Sequence, residues 1–139
     1  MTMKDRVEKA VELFKSGYNC SQSVVAAFAD MYGFTQEQAL RMSASFGGGI
    51  GRMRQTCGAA CGMFLLAGLE KGAVDGKDRE GKAANYALVQ QLAEEFRKRN
   101  GSMICAELLG LKKPEGSSTP EARTEQYYAC LLYTSDAAD

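Results

Sequence analysis

Histidine is absent from the 139-residue chain. That removes the commonest general base and the commonest nitrogen ligand for zinc, copper or haem iron. A Ser-His-Asp triad, a Cys-His protease pair and a Cys₂His₂ zinc finger are excluded with it. Net charge is also missing, since 17 basic residues balance 17 acidic ones. No positive field is available to draw nucleic acid or an anionic membrane. The longest apolar run, residues 63–69, is broken by Gly68 and falls far short of the ~20 residues a membrane span needs. Residues 1–15 scatter charges and lead into no apolar core, so the layout of a secretory signal is lacking. These absences predict a cytoplasmic protein with no nucleic-acid or membrane partner.

No stretch alternates as a strand would, and there is no internal repeat, low-complexity segment or dividing linker. The composition, 45% hydrophobic and 24% charged, is that of one globular domain. What the chain does have is helical periodicity. Val7, Ala10, Val11 and Phe14 share one face of a first helix over 4–15. Asn19-Cys20-Ser21-Gln22 reads as a capping box. It opens a second helix with Val24, Ala27, Phe28 and Met31 on one face, closed by Gly33. Thr35 with Gln38 repeats the box and starts a third helix, reaching about residue 45. Four glycines in residues 47–51 make a loop. Thr56 is placed to cap a helix that begins at Cys57 and runs to about 69. This helix is apolar on nearly every side. Residues 71–81 read as a connection, with Asp75, Asp78 and Glu80 as solvated charges. Val89, Leu92, Ala93 and Phe96 mark a long helix ending in Arg97-Lys98-Arg99. Ser102 can cap a short helix carrying Cys105, Leu108 and Leu109. Thr119-Pro120-Glu121 starts a last helix, on which Tyr127 and Tyr128 pack. The expected architecture is all-α: one domain over 1–129, a bundle of six or seven helices around a buried glycine/alanine-rich central helix.

The chemistry-bearing residues are five cysteines, Cys20, Cys57, Cys61, Cys105 and Cys130. In a cytosolic chain such a set points to catalysis or metal more than to structural disulfides. A thiolate is the nucleophile and the metal ligand, and the positive end of a helix favours it. Cys20, Cys57 and Cys105 all read as first-turn residues, and Arg52 and Arg54 precede Cys57 closely. Cys61 lies one turn beyond Cys57 on the same face. There is no C-x₂-C pair, so zinc ribbons, thioredoxin-type motifs and bacterial ferredoxin runs find no support. No Gly-Lys-Ser/Thr follows the glycine loop, so it is not a P-loop. Against the functional reading stands a plain one: free cysteine is also a small, buried core filler. The small residues 58–62 equally suit the close approach of another helix.

Asn19-Cys20-Ser21-Gln22, the Phe-Gly-Gly-Gly-Ile-Gly-Arg run of residues 46–52, Thr56-Cys57-Gly58-Ala59-Ala60-Cys61-Gly62 and Asn100-Gly101-Ser102-Met103-Ile104-Cys105 together resemble the C-GCAxxG-C-C family. The resemblance covers residues 5–128, with the motifs in order. It implies a small helical protein with redox activity and no established substrate. Cys20, Cys57 and Cys105 match three of the family's cysteines, whereas Cys61 stands where the family varies. The fourth would be Cys130, but residues 130–139 resemble translated adapter sequence that contaminates assembled metagenomes. Cys130 and this tail therefore stay outside the expected native site.

The leading expectation is electron or thiol transfer. Cys57 is the nucleophile or principal ligand, Cys20 and Cys105 are resolving thiols or co-ligands, and Arg52 favours the thiolate. The partner would be a redox protein or a small thiol or electron carrier, with a second copy of the chain left open. One rival is an iron–sulfur or zinc protein using Cys20, Cys57 and Cys105. The other is a non-catalytic binding or assembly module whose cysteines are packing.

Overall fold

A computed structural model describes residues 1–110. The last expected helix, Tyr127, Tyr128, Cys130 and the 130–139 tail lie outside the described residues. Among the described residues there are six α-helices: α1 (Met3–Lys15), α2 (Cys20–Phe28), α3 (Gln36–Ser43), α4 (Gly58–Lys71), α5 (Arg79–Asn100) and α6 (Cys105–Leu108). The all-α expectation holds for them, and no strand is present among them; one isolated antiparallel bridge joins Thr56 to Ile104.

Local sequence sets the first three helix starts. Thr2, Asn19 and Thr35 each accept from the backbone N–H three residues on, and Asp5, Gln22 and Gln38 return a bond to the cap amide. Each reciprocal pair satisfies two of the amide donors that a helix start leaves open. The second and third helices tighten into 3-10 turns at Ala29–Tyr32 and Ala44–Phe46. Gly33 ends the first of these in the left-handed conformation.

Among the described residues α2 occupies the middle, packed against α1, α3 and α4. Val25 and Ala27 are fully buried, and Val25, Ala26, Ala29 and Ala39 form the core cluster, flanked by Leu13, Phe34, Leu40 and Leu65. The helix expected at the centre, α4, buries Gly58, Ala60, Gly62 and Ala67, while Met63, Phe64, Leu65 and Leu66 are half-buried. The reason lies in size. A Cβ on Gly62 would stand 3.2 Å from the Ser21 carbonyl oxygen and from the Val24 Cβ. The small face of α4 thus lets α2 come close, and Leu65 reaches the core cluster. The connection before α5 is shorter than expected. Asp78 accepts from the Gly81 N–H and caps α5, so Glu80 is a first-turn residue rather than a loop charge.

Candidate functional site

The site is assembled by residues 47–57 and 102–105. Gly48, Gly49, Ile50, Gly51 and Arg52 all have φ between 57° and 73°, and Arg54 has φ 61°. A run of left-handed residues costs the glycines little, but roughly 1–2 kcal/mol for each residue with a Cβ. Long-range backbone bonds offset this cost. The amides of Arg54 and Gln55 donate to the carbonyls of Gly48 and Gly49 at 3.1 and 2.9 Å. The loop therefore folds back on itself and delivers residues 54–56 alongside residues 103–106.

There the Cys57 N–H donates to the Met103 carbonyl at 2.7 Å, and the Cys105 N–H donates to the Gln55 carbonyl at 2.6 Å. These bonds flank the Thr56–Ile104 bridge. In an antiparallel pair, residues 57 and 105 then lie on the same face as diagonal neighbours, with Cα atoms about 7–8 Å apart. Cys57 is the N-cap of α4 and Cys105 is the first residue of α6. These are two of the three helix starts expected to carry sulfur, and Cys57 stands one position earlier than expected, as the N-cap, at φ −53° and ψ 134°.

Cys57 is half-buried. Its side chain makes no cap hydrogen bond of ordinary geometry. Burial pushes its thiol above the ordinary value; the Ala60 and Ala59 amides pull the other way, and the nearby Cys105 adds to the rise. This corrects the expectation of an activated thiolate: the positive helix end is there, but desolvation outweighs it. Cys61, half-buried one turn on, is raised by burial and then by Cys57, and its thiol donates to the Thr56 carbonyl at 3.8 Å. Cys20 is the first residue of α2. Its Cβ would stand 3.5 Å from a Cβ on Gly58, so it abuts the start of α4 beside Cys57.

Arg54 is hydrogen-bonded to a cysteine sulfur. Its Nη1 donates to the Cys105 Sγ at 3.6 Å, and the two residues are only 7% and 8% exposed. Sequence reasoning chose Arg52, which contributes backbone to the left-handed run. Nothing in the spacing distinguishes the two arginines.

All four described cysteines are free thiols. Among the described residues, no three cysteine, aspartate or glutamate side chains are placed to hold a metal ion.

A family described as "Putative redox-active protein (C_GCAxxG_C_C)" matches residues 18–139. The chain belongs to that family. No curated protein and no solved structure matches it. For this C_GCAxxG_C_C protein the matched span includes all five cysteines. The glycines of its central motif have a packing role: a Cβ on Gly58 would stand 2.8 Å from the Phe46 carbonyl oxygen and 3.3 Å from the Ser21 amide nitrogen. Gly58 thereby keeps the starts of α2 and α4 in contact, and with them Cys20 and Cys57. Sequence reasoning missed one further feature. A half-open apolar cleft of about 510 Å³ lies between α1, α2, α4 and α5, lined among others by Val7, Val24, Met63, Leu66, Leu92 and Phe96.

Proposed function

We propose that this protein carries out thiol–disulfide redox chemistry with Cys57 and Cys105 as its working pair. The observation that supports this most is the juxtaposition of the two residues across the Thr56–Ile104 bridge. A disulfide requires Cα atoms closer than about 7 Å, so oxidation must draw the pair together across the bridge. Oxidation removes two electrons and two protons from the dithiol and forms one S–S bond. The acceptor is the disulfide of a small molecule or of a redox partner protein, in the cytoplasm. Cys20 and Cys61 are neighbours of the pair. Cys61, one turn beyond Cys57, is the competing partner for Cys57 that the test below separates from Cys105.

The test is thiol counting in glutathione buffers of graded ratio. The reading expects two thiols to disappear together and to return on reduction, and Cys57→Ser or Cys105→Ser to abolish the step. Thiols that never titrate as a pair, or an anaerobically purified protein holding stoichiometric iron or zinc on these cysteines, would contradict it.

A further inference from the structure

A thiol pair has two members, and the structure treats them unequally. Cys57 is half-buried, whereas Cys105 is buried behind Gly49. Arg54 donates to the Cys105 sulfur. A guanidinium is permanently charged, and its N–H groups stabilise a sulfur that carries negative charge. Its position is fixed from both sides: the Arg54 amide donates to the Gly48 carbonyl at 3.1 Å, and its carbonyl accepts from the Ala106 N–H at 3.3 Å. The same residue is thus tied to the glycine loop and to the helix that Cys105 begins.

We propose that Cys57 is the sulfur that forms the mixed disulfide with an incoming thiol or disulfide, and that Cys105 is the internal sulfur, positioned by its hydrogen bond from Arg54. This division of roles rests on the thiol-pair reading above. When the reduced protein meets a disulfide R–S–S–R′, Cys57 gives its proton to water and the resulting thiolate attacks one sulfur. The R–S–S–R′ bond breaks, and R′–S⁻ leaves and takes up a proton from water. Cys105 then gives its proton to water and attacks the Cys57 sulfur, the S–S bond to R breaks, and R–S⁻ leaves and is protonated in turn. Two electrons pass from the dithiol to the substrate. In the reverse direction an incoming thiolate attacks Cys57, and Cys105 leaves. A better-stabilised thiolate is the better leaving group in this direction, and in the forward direction the hydrogen bond from Arg54 orients the attacking sulfur; Arg54 transfers no proton in either. It acts through Cys105 and is a positioning residue.

The experiment mixes the full-length protein with glutathione disulfide, quenches at intervals, and locates glutathione by intact and peptide mass spectrometry. The wild type should show glutathione on Cys57 transiently and end with a Cys57–Cys105 disulfide. Cys105→Ser should retain one glutathione on Cys57. Arg54→Gln should slow decay of the mixed disulfide about tenfold, the order expected for losing one charge-assisted hydrogen bond, and Arg54→Lys should restore most of the rate. If Arg54→Gln does not fold, the adduct site in Cys105→Ser and the near-normal rate of Arg54→Lys carry the test. Glutathione on Cys105, an unchanged rate in Arg54→Gln, or Arg54→Lys as slow as Arg54→Gln would overturn the assignment, while a Cys57–Cys105 disulfide leaves the pair reading intact. No internal disulfide in any form would overturn the pair reading itself.

Discussion

Gly49 lies so close to Cys105 that no side chain fits between them. A Cβ there would stand 2.5 Å from the Cys105 Cβ and 2.8 Å from the Arg54 Cα, and Gly49 has φ +73°. Gly49→Ala therefore combines left-handed strain with overpacking, and should lower stability by about 2–4 kcal/mol. Gly51, at φ +57° with nothing within 4 Å of its Cβ position, supplies the control. Gly51→Ala carries the strain alone, about 1–2 kcal/mol. Urea unfolding of both variants checks the difference; equal losses would mean that the contact with Cys105 contributes nothing.

Alkaline pH should destabilise the reduced protein. Burial holds the Cys57 and Cys61 thiols above their ordinary value. A thiol that binds its proton more tightly folded than unfolded contributes stability that is complete below the unfolded value, about 8.5. That share is lost as pH rises through the folded value. Denaturation at pH 7 and pH 10 should show the fall, and Cys57→Ala should flatten it. Alkylation of Cys57 should likewise keep accelerating above pH 8.5, where an ordinary thiol begins to level off.

Asn19 joins a cap to a tertiary contact. Its Oδ1 accepts from the Gln22 N–H at 2.9 Å, and its Nδ2 donates to the Ala44 carbonyl at 3.0 Å. Asn19→Ala should cost about 1–2 kcal/mol. The loss starts at the end of α2 that carries Cys20, so thermal unfolding should be accompanied by faster alkylation of Cys20.

Arg6 links α1 to the end of α2. It donates to the Ala27 carbonyl at 3.0 Å and to the Asp30 carboxylate at 2.6 Å, with its guanidinium 5.9 Å from the centre of the Phe28 ring. Hydrogen bonding from Arg6 holds the Asp30 carboxyl below its usual range. The contribution is present above the unfolded carboxylate value and is lost as pH falls below it. Thermal melts should rank Arg6→Ala as more damaging than Asp30→Asn, because the first also orphans a carbonyl and a ring contact. The gap between wild type and Asp30→Asn should narrow in acid.

The sequence was most readable where structure is local. Thr2, Asn19 and Thr35 are followed three residues on by Asp5, Gln22 and Gln38, and short-range hydrogen bonding alone sets such starts. Asp78 was passed over because Gly81 and Lys82 follow it without an apolar stripe, yet one side-chain bond to Gly81 suffices to begin α5. The apolar content of α4 suggested the middle of the bundle, but small residues at 58, 60 and 62 draw α2 there instead. At the site, the helix-start positions of Cys20, Cys57 and Cys105 were legible from caps and glycines. The pairing of residues 54–57 with 103–106 was not, because it depends on a left-handed fold-back that includes Ile50 and Arg52. That same fold-back brings Arg54 to Cys105. The direction of the Cys57 shift was missed because sequence displays the helix end and conceals the burial that opposes it.

The most direct test of this account is peptide mapping of the protein oxidised stoichiometrically by a small disulfide at neutral pH. The account predicts one dominant cross-link, joining the peptide with Cys57 to the peptide with Cys105 and reversible by dithiothreitol. A protein that accepts the same two-electron oxidation but links Cys20 or Cys61 instead, with Cys57 and Cys105 still free, would contradict it.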